Sequence, residues 1–250
     1  MRRHNRLVYD LVRAFNGWSL RNNWQVDIEG AQHLEVRGPA ILAFNHAHLV
    51  DGTVIMPLVR RRIRFLCDHR ALWVPVLGQI LRLMDVIPVR VHRPDPSATL
   101  AAMRALRRGQ LLGVFPEAAV SGRKGLIRAR PGVAFLADAL QVPVVPVATW
   151  GVSAFDRPFD VYVRRRRPTI HLRAGPHLAV RLPPTERRDG IQSATDAVML
   201  AIAERLPVGL RGVYAEGSDS WRQGRFALEH GWVTSAASRV PVFPQPHGAG

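Results

Sequence analysis

The segment Asn45-His46-Ala47-His48-Leu49-Val50-Asp51 sets an imidazole and a carboxylate five positions apart. Residues at that separation do not share a face of one helix. They can meet if His46 stands in a turn and Asp51 sits about one helical turn further on. A carboxylate that accepts from one ring nitrogen fixes the tautomer and supports the imidazolium that forms. The other nitrogen can then take a proton from a hydroxyl. The chain has no G-x-S-x-G elbow, and its single cysteine, Cys67, closes an apolar run. The simplest chemistry is therefore general-base activation of a substrate hydroxyl, without a covalent enzyme intermediate. A metal bound by His46, His48 and Asp51 is the weaker reading, because no second ligand cluster has a recognisable spacing. No metal and no resident cofactor are expected.

Other reactive residues also follow short apolar runs. Ala40 to Phe44 precedes Asn45 and His46, Ile63 to Cys67 precedes Asp68 and His69, and Val86 to Val89 precedes Arg90. Leu111 to Phe115 precedes Pro116-Glu117, and Val142 to Thr149 is a fifth run. Runs this short, apolar on both faces, predict strands of a sheet covered on both sides. Helical patterns lie between them, at Leu100 to Leu106 and Pro131 to Leu140. The alternation predicts an α/β fold with a mixed, largely parallel sheet flanked by helices. In such sheets ligands bind at the carboxyl ends of the strands, where these residues fall. Thr169 to Arg173 alternates and predicts an edge strand. A further helix is expected from about Ile191 to Leu206.

The ends of the chain differ from this middle. Leu7, Val8, Leu11, Val12, Phe15, Trp18 and Leu20 have near-helical spacing, with Arg6, Arg13 and Arg21 around them. Such a helix can lie in a lipid interface or pack on the protein's own core; the pattern allows both. Residues 1–29 are read as this amphipathic segment, 30–215 as the catalytic domain, and 216–250 as a partly disordered extension rich in Gly, Ser and Pro. No stretch reaches the ~20 apolar residues that span a bilayer, and the basic N-terminus lacks the apolar core of a signal peptide. A membrane would be met from its surface.

Charge points to the partner. Lys+Arg total 35 against 19 Asp+Glu, a formal +16, and nearly all the basic residues are Arg. An Arg-rich surface favours anionic partners, phospholipid among them. Arg164-Arg165-Arg166-Arg167 is the densest run. No aromatic-rich RNA motif, zinc finger or recognition helix accompanies it, so nucleic acid is not expected.

Four motifs in order carry a resemblance. His46 to Asp51 resembles the H-x4-D motif of the glycerolipid acyltransferases, the family of 1-acylglycerol-3-phosphate acyltransferases. Ile87-Pro88-Val89 resembles the family's I-P-V-x-R motif. Phe115-Pro116-Glu117 is similar to the start of F-P-E-G-T-R-S, and Val142-Pro143-Val144-Val145-Pro146-Val147 to V-P-[IV]-[IV]-P-V. The resemblance covers roughly residues 30 to 180. It implies transfer of a fatty acyl group from acyl-CoA or acyl carrier protein to the hydroxyl of a lysophospholipid, at the cytoplasmic face of a membrane. By position it makes His46 the base, Asp51 its partner and Glu117 part of the acceptor site; Asn45 and Ser121 are further candidates for binding substrate.

The departures fall on the acceptor side. The family's Gly-Thr-Arg after the glutamate is Ala118-Ala119-Val120 here, and its second-motif arginine falls on Val91. Arg90 is one residue off and faces the other way on a regular strand, whereas Arg93 keeps the facing. Arg123, Lys124, Arg128 and Arg130 in the following loop could supply phosphate contacts or form a solvated basic loop. Another lysolipid or a glycolipid is thus an alternative acceptor. A non-catalytic binder of anionic lipid is a third reading.

Overall fold

Strand β2 (Ala40–Phe44) shows why the apolar runs become central strands. Its alternate residues Ile41 and Ala43 enter one core, and Ala40, Leu42 and Phe44 the other. All five are buried, so a polar residue on either face would lose its water without a partner. The computed structural model describes residues 3–49, 51–91, 93–152 and 167–235.

Around β2 lie β5 (Leu111–Val114) and β6 (Val144–Trp150), both parallel to it, then β3 (Ile63–Asp68) beside β5 and β4 (Ile87–Val89) beside β3. Two strands extend the far side: β7 (Thr169–Ala174), antiparallel to β6, and β1 (Gln25–Glu29), parallel to β7. The order is β1-β7-β6-β2-β5-β3-β4. β8 (Leu178–Val180) pairs with β6, and β9 (Val233–Ser235) with β8. The five central strands are mutually parallel, so their carboxyl ends share one rim, as the runs predict.

Helices α1 (Arg3–Asn23), α2 (Asp51–Ile55) and α3 (Leu77–Leu83) cover one face of this mixed sheet. The opposite face carries α4 (Pro96–Arg107), α5 (Gly132–Leu140), α6 (Arg187–Ala203) and α7 (Asp219–Glu229). α4 begins four residues before the apolar pattern does. Asp95 caps it by accepting from the Ala98 amide (3.1 Å), and Pro96 supplies a pre-set φ in the first turn. α6 likewise starts at Arg187, ahead of the expected Ile191.

Three expectations are corrected. Thr169 to Arg173 is not an edge strand: β7 lies between β1 and β6, and β1 is the edge. Its alternation instead reports one covered face, with Ile170 and Leu172 buried and Thr169, His171 and Arg173 half-buried. The sheet also starts at Gln25, so part of the segment assigned to the N-terminal helix is a strand. The segment from 216 joins the same core rather than extending from the domain, as far as it is described. α7 packs on α6, and Ala227, Trp232 and Val233 are buried in the core. Residues 236–250 and Arg164-Arg165-Arg166 lie outside the described residues.

α1 packs on the protein's own core along one face. Tyr9, Asn16, Ser19 and Leu20 face inward and are buried, and the Tyr9 hydroxyl accepts from the Ile63 amide (2.9 Å). Leu7, Leu11, Phe15 and Trp18 form an outward ridge, each more than half exposed.

Candidate functional site

His46 is in the loop that leaves β2, and Asp51 is the first residue of α2. The loop folds so that His46 Nδ1 and Asp51 Oδ2 lie 3.1 Å apart. The same Oδ2 accepts from the His48 amide (2.8 Å), and the Asp51 amide donates back to His48 O (3.1 Å). These bonds close the turn that the five-residue separation requires. Asp51 is 1% exposed and His46 17%. The carboxylate therefore acts behind the ring, and the ring retains access to solvent. A carboxylate facing Nδ1 demands a proton there, which leaves Nε2 as the accepting nitrogen. Asp51 Oδ1 is buried without a hydrogen-bond partner, so the charge is not dispersed over further donors.

The ring is held from below by Phe115, stacked at 4.2 Å between centroids. Phe115 in turn stacks on Phe65 (6.2 Å, 14° between planes). Phe65 fits there because its neighbour across β3 and β5 is Gly113, where an added Cβ would come within 2.5 Å of the Phe65 ring. A glycine in a strand therefore makes room for the aromatic stack beneath the His46 imidazole.

Three residues expected at the substrate brace this loop. Asn45 is buried, and its amide pairs both ways with the backbone of Thr149: Nδ2 donates to the carbonyl (2.8 Å) and Oδ1 accepts from the amide (2.7 Å). It locks the end of β2 to the end of β6. Glu117, 3% exposed, accepts from the His46 amide at Oε1 (2.7 Å) and from the Ile127 amide at Oε2 (2.9 Å). Burial pushes its carboxyl up to about 7, against the opposing pull of these two amides, His46 and Ser121. Ser121 donates both its amide (2.7 Å) and its hydroxyl (3.1 Å) to the His46 carbonyl. The backbone of His46 is thus gripped at both ends by the segment 117–121.

The basic residues stand further out. β4 ends at Val89, and Arg90 and Arg93 lie in the turn that follows, so the alternation argument for their facing does not apply. The Arg90 amide is tied to Asp95 (3.1 Å), and both side chains are exposed. Lys124 is exposed on the short turn Gly122–Lys124; the side chain of Arg123 lies outside the described residues. Arg128 donates to Gln223 (3.1 Å). Cys67 is an unpromising nucleophile, since burial and the neighbouring Asp68 push its thiol up to about 11. Among the described residues no group of three His, Cys, Asp or Glu is placed to hold a metal ion.

Residues 25–150 match the model of the Acyltransferase family. The chain belongs to that family. The match spans β1 through β6 and contains every residue of the His46 network described so far. A curated relative, the 1-acyl-sn-glycerol-3-phosphate acyltransferase of Limnanthes alba, is 28% identical over 169 residues, covering 66% of this chain and 56% of its own length. The enzyme of the same name from Cocos nucifera is 24% identical over 212 residues, covering 81% of this chain and 64% of its own. The chain thus spans less than two thirds of these relatives. The crystal structure of the LPA acyltransferase PlsC from Thermotoga maritima shares the fold, with a TM-score of 0.57, 20% identity and 69% of each chain covered.

Within the family's third motif the backbone bears on the departure from Gly-Thr-Arg. Ala118 has φ +54°, the left-handed region where a Cβ costs about 1–2 kcal/mol. The glycine usual there would remove this strain at the cost of a more flexible unfolded chain. Ala118→Gly is expected to raise stability by about 0.5–1 kcal/mol, a rise in Tm of roughly 1–4 °C. A scanning calorimetry trace with an unchanged or lower Tm would contradict this.

Proposed function

We propose that this chain transfers a fatty acyl group from an acyl thioester, acyl-CoA or acyl carrier protein, to the free hydroxyl of 1-acyl-sn-glycerol-3-phosphate, giving phosphatidic acid. The observation that carries it is the His46–Asp51 pair at the carboxyl ends of the central strands. His46 Nε2 takes the proton of the acceptor hydroxyl as its oxygen bonds to the thioester carbonyl carbon. Collapse of the tetrahedral adduct breaks the C–S bond, and the imidazolium returns the proton to the departing sulfur. Asp51 stabilises that imidazolium throughout. The exposed Arg90, Arg93 and Lys124 supply positive charge for the acceptor phosphate or the donor.

The site meets its lipid substrate from the surface of a membrane, at the cytoplasmic face. Among the described residues no helix is long and apolar enough to cross a membrane. The α1 ridge of Leu7, Leu11, Phe15 and Trp18 is supplemented by exposed Trp73, Val74 and Val76, which follow the carboxyl end of β3. With +16 on the chain, apolar side chains and positive charge favour an anionic interface together.

Ala118-Ala119-Val120 in place of Gly-Thr-Arg favours a second reading, in which the acceptor is another lysophospholipid or a glycolipid. A human relative named lysophospholipid acyltransferase LPCAT4 is 29% identical over 130 residues, 49% of this chain and 23% of its own length. Mass spectrometry of products from mixed lysolipids with acyl-CoA or acyl carrier protein separates the readings. Phosphatidic acid as the dominant product supports the first, and a different diacyl lipid the second. Lipid binding without any acylated product would leave only a non-catalytic binder.

A further inference from the structure

The brace on His46 does not end at Glu117. Its second oxygen holds the Ile127 amide, and the segment around Ile127 is tied to a later part of the chain. The Leu126 amide donates to Leu210 O and the Val213 amide to Leu126 O, each at 3.0 Å. Gly212 makes this approach possible: an added Cβ would lie 2.1 Å from Leu126 O. Next to it the Ala129 amide donates to the Tyr214 hydroxyl (3.0 Å), and that hydroxyl donates to Asp196 Oδ1 (2.8 Å). Gln192 Nε2 completes the knot, donating to Ala129 O (3.2 Å) and Asp196 Oδ1 (3.0 Å). Tyr214 and Asp196 are wholly buried. Gln192, Asp196 and Tyr214 all lie beyond residue 150, where the family match stops.

We propose that Tyr214, oriented by Asp196, is a positioning residue for His46. It fixes the segment 126–129, whose Ile127 amide sets the Glu117 carboxylate that holds the His46 backbone. The backbone joins Ala129 to Ile127, and two hydrogen bonds to the buried Glu117 carboxylate carry on from there, so a shift at Ala129 reaches His46 through two bonds and one carboxylate. Displacing a reacting group by a fraction of an ångström lowers turnover without requiring any loss of substrate contacts. The helix α6 and the turn at 212–214 thereby belong to the working of the site, although neither touches substrate. The inference rests on His46 as general base.

The test is steady-state kinetics on micelle-dispersed lysolipid with purified Tyr214→Phe, which keeps the ring and removes the hydroxyl. The expected result is a kcat lower by about tenfold, with both KM values within about twofold of the parent. Tyr9→Phe is the matched control. Tyr9 is equally buried, and its hydroxyl also accepts a backbone amide, but in the core beneath α1. It is expected to lower Tm and leave kcat unchanged. Combining Tyr214→Phe with Glu117→Gln is expected to cost less than the sum of the two changes in ln kcat, because both act on one chain of contacts. A parental kcat in folded Tyr214→Phe, or full additivity with Glu117→Gln, would overturn the inference. If Tyr214→Phe does not accumulate folded, Gln192→Leu cuts the same knot at a half-buried position. It is expected to lower kcat about threefold, and an unchanged kcat would count against the proposal. His46→Ala in the same assay separates the two levels. A fully active His46→Ala removes the general-base reading itself. An inactive one beside a parental Tyr214→Phe removes only the positioning role.

Discussion

His46→Ala is expected to lower kcat about a thousandfold, within the ~100- to ~10,000-fold range of a positioned general base. A free alcohol is a weak nucleophile, and Asp51, Glu117 and Cys67 are each poorly suited to take its proton. Asp51 is behind the ring and buried. Glu117 has both oxygens on backbone amides. Cys67 is held protonated at neutral pH. A base that acts only in the transition state leaves ground-state binding alone, so both KM values should stay within a few-fold of the parent, and the loss should appear in kcat. The ring is stacked on Phe115 and partly exposed, so its loss should leave the circular dichroism spectrum close to parental. Acyl transfer followed by product mass spectrometry checks this. Equal rates for variant and parent would remove the mechanism.

Much of this arrangement was legible in the sequence because it depends on short-range pattern. The five apolar runs became the five parallel strands; in β2, β5 and β6 burial on both faces leaves a continuous apolar signature. The H-x4-D spacing fixed the dyad, because the turn needed to close it is local. What escaped notice depends on backbone groups or small side chains. β1 has three polar residues among its five and shows no apolar run. α7 buries Ser220, Gly224 and Ala227 against α6. An added Cβ at Gly224 would lie 2.6 Å from Leu200 and 2.9 Å from the Asp196 backbone, so the contact requires a residue that no hydrophobic pattern marks. The bracing by Glu117 and Asn45 is equally invisible in the sequence. Their partners are the amides of His46 and Ile127 and the backbone of Thr149, and backbone groups carry no residue identity to read.

Asp51→Asn isolates the charge from the geometry, and kcat is expected to fall about a hundredfold. Asp51 Oδ2 alone receives both His46 Nδ1 and the His48 amide, and Oδ1 has no partner. An asparagine can therefore set its carbonyl where Oδ2 stood and retain both hydrogen bonds. The flipped amide would turn its N–H groups toward the His48 amide, a donor facing a donor, so the parental orientation is favoured. His46 would then keep its tautomer and lose only the negative charge that supports the imidazolium. Its new N–H pair would sit in the buried, unpartnered place of Oδ1, at a stability cost of about 1–3 kcal/mol. Asp51→Ala removes the orienting bonds as well and should fall further, toward His46→Ala. The decisive comparison is the double variant His46→Ala with Asp51→Asn. Asp51 acts only through the imidazole, so once the ring is gone the second change should cost nothing more in kcat. A further hundredfold loss in the double variant would mean that Asp51 reaches the reacting atoms by another route.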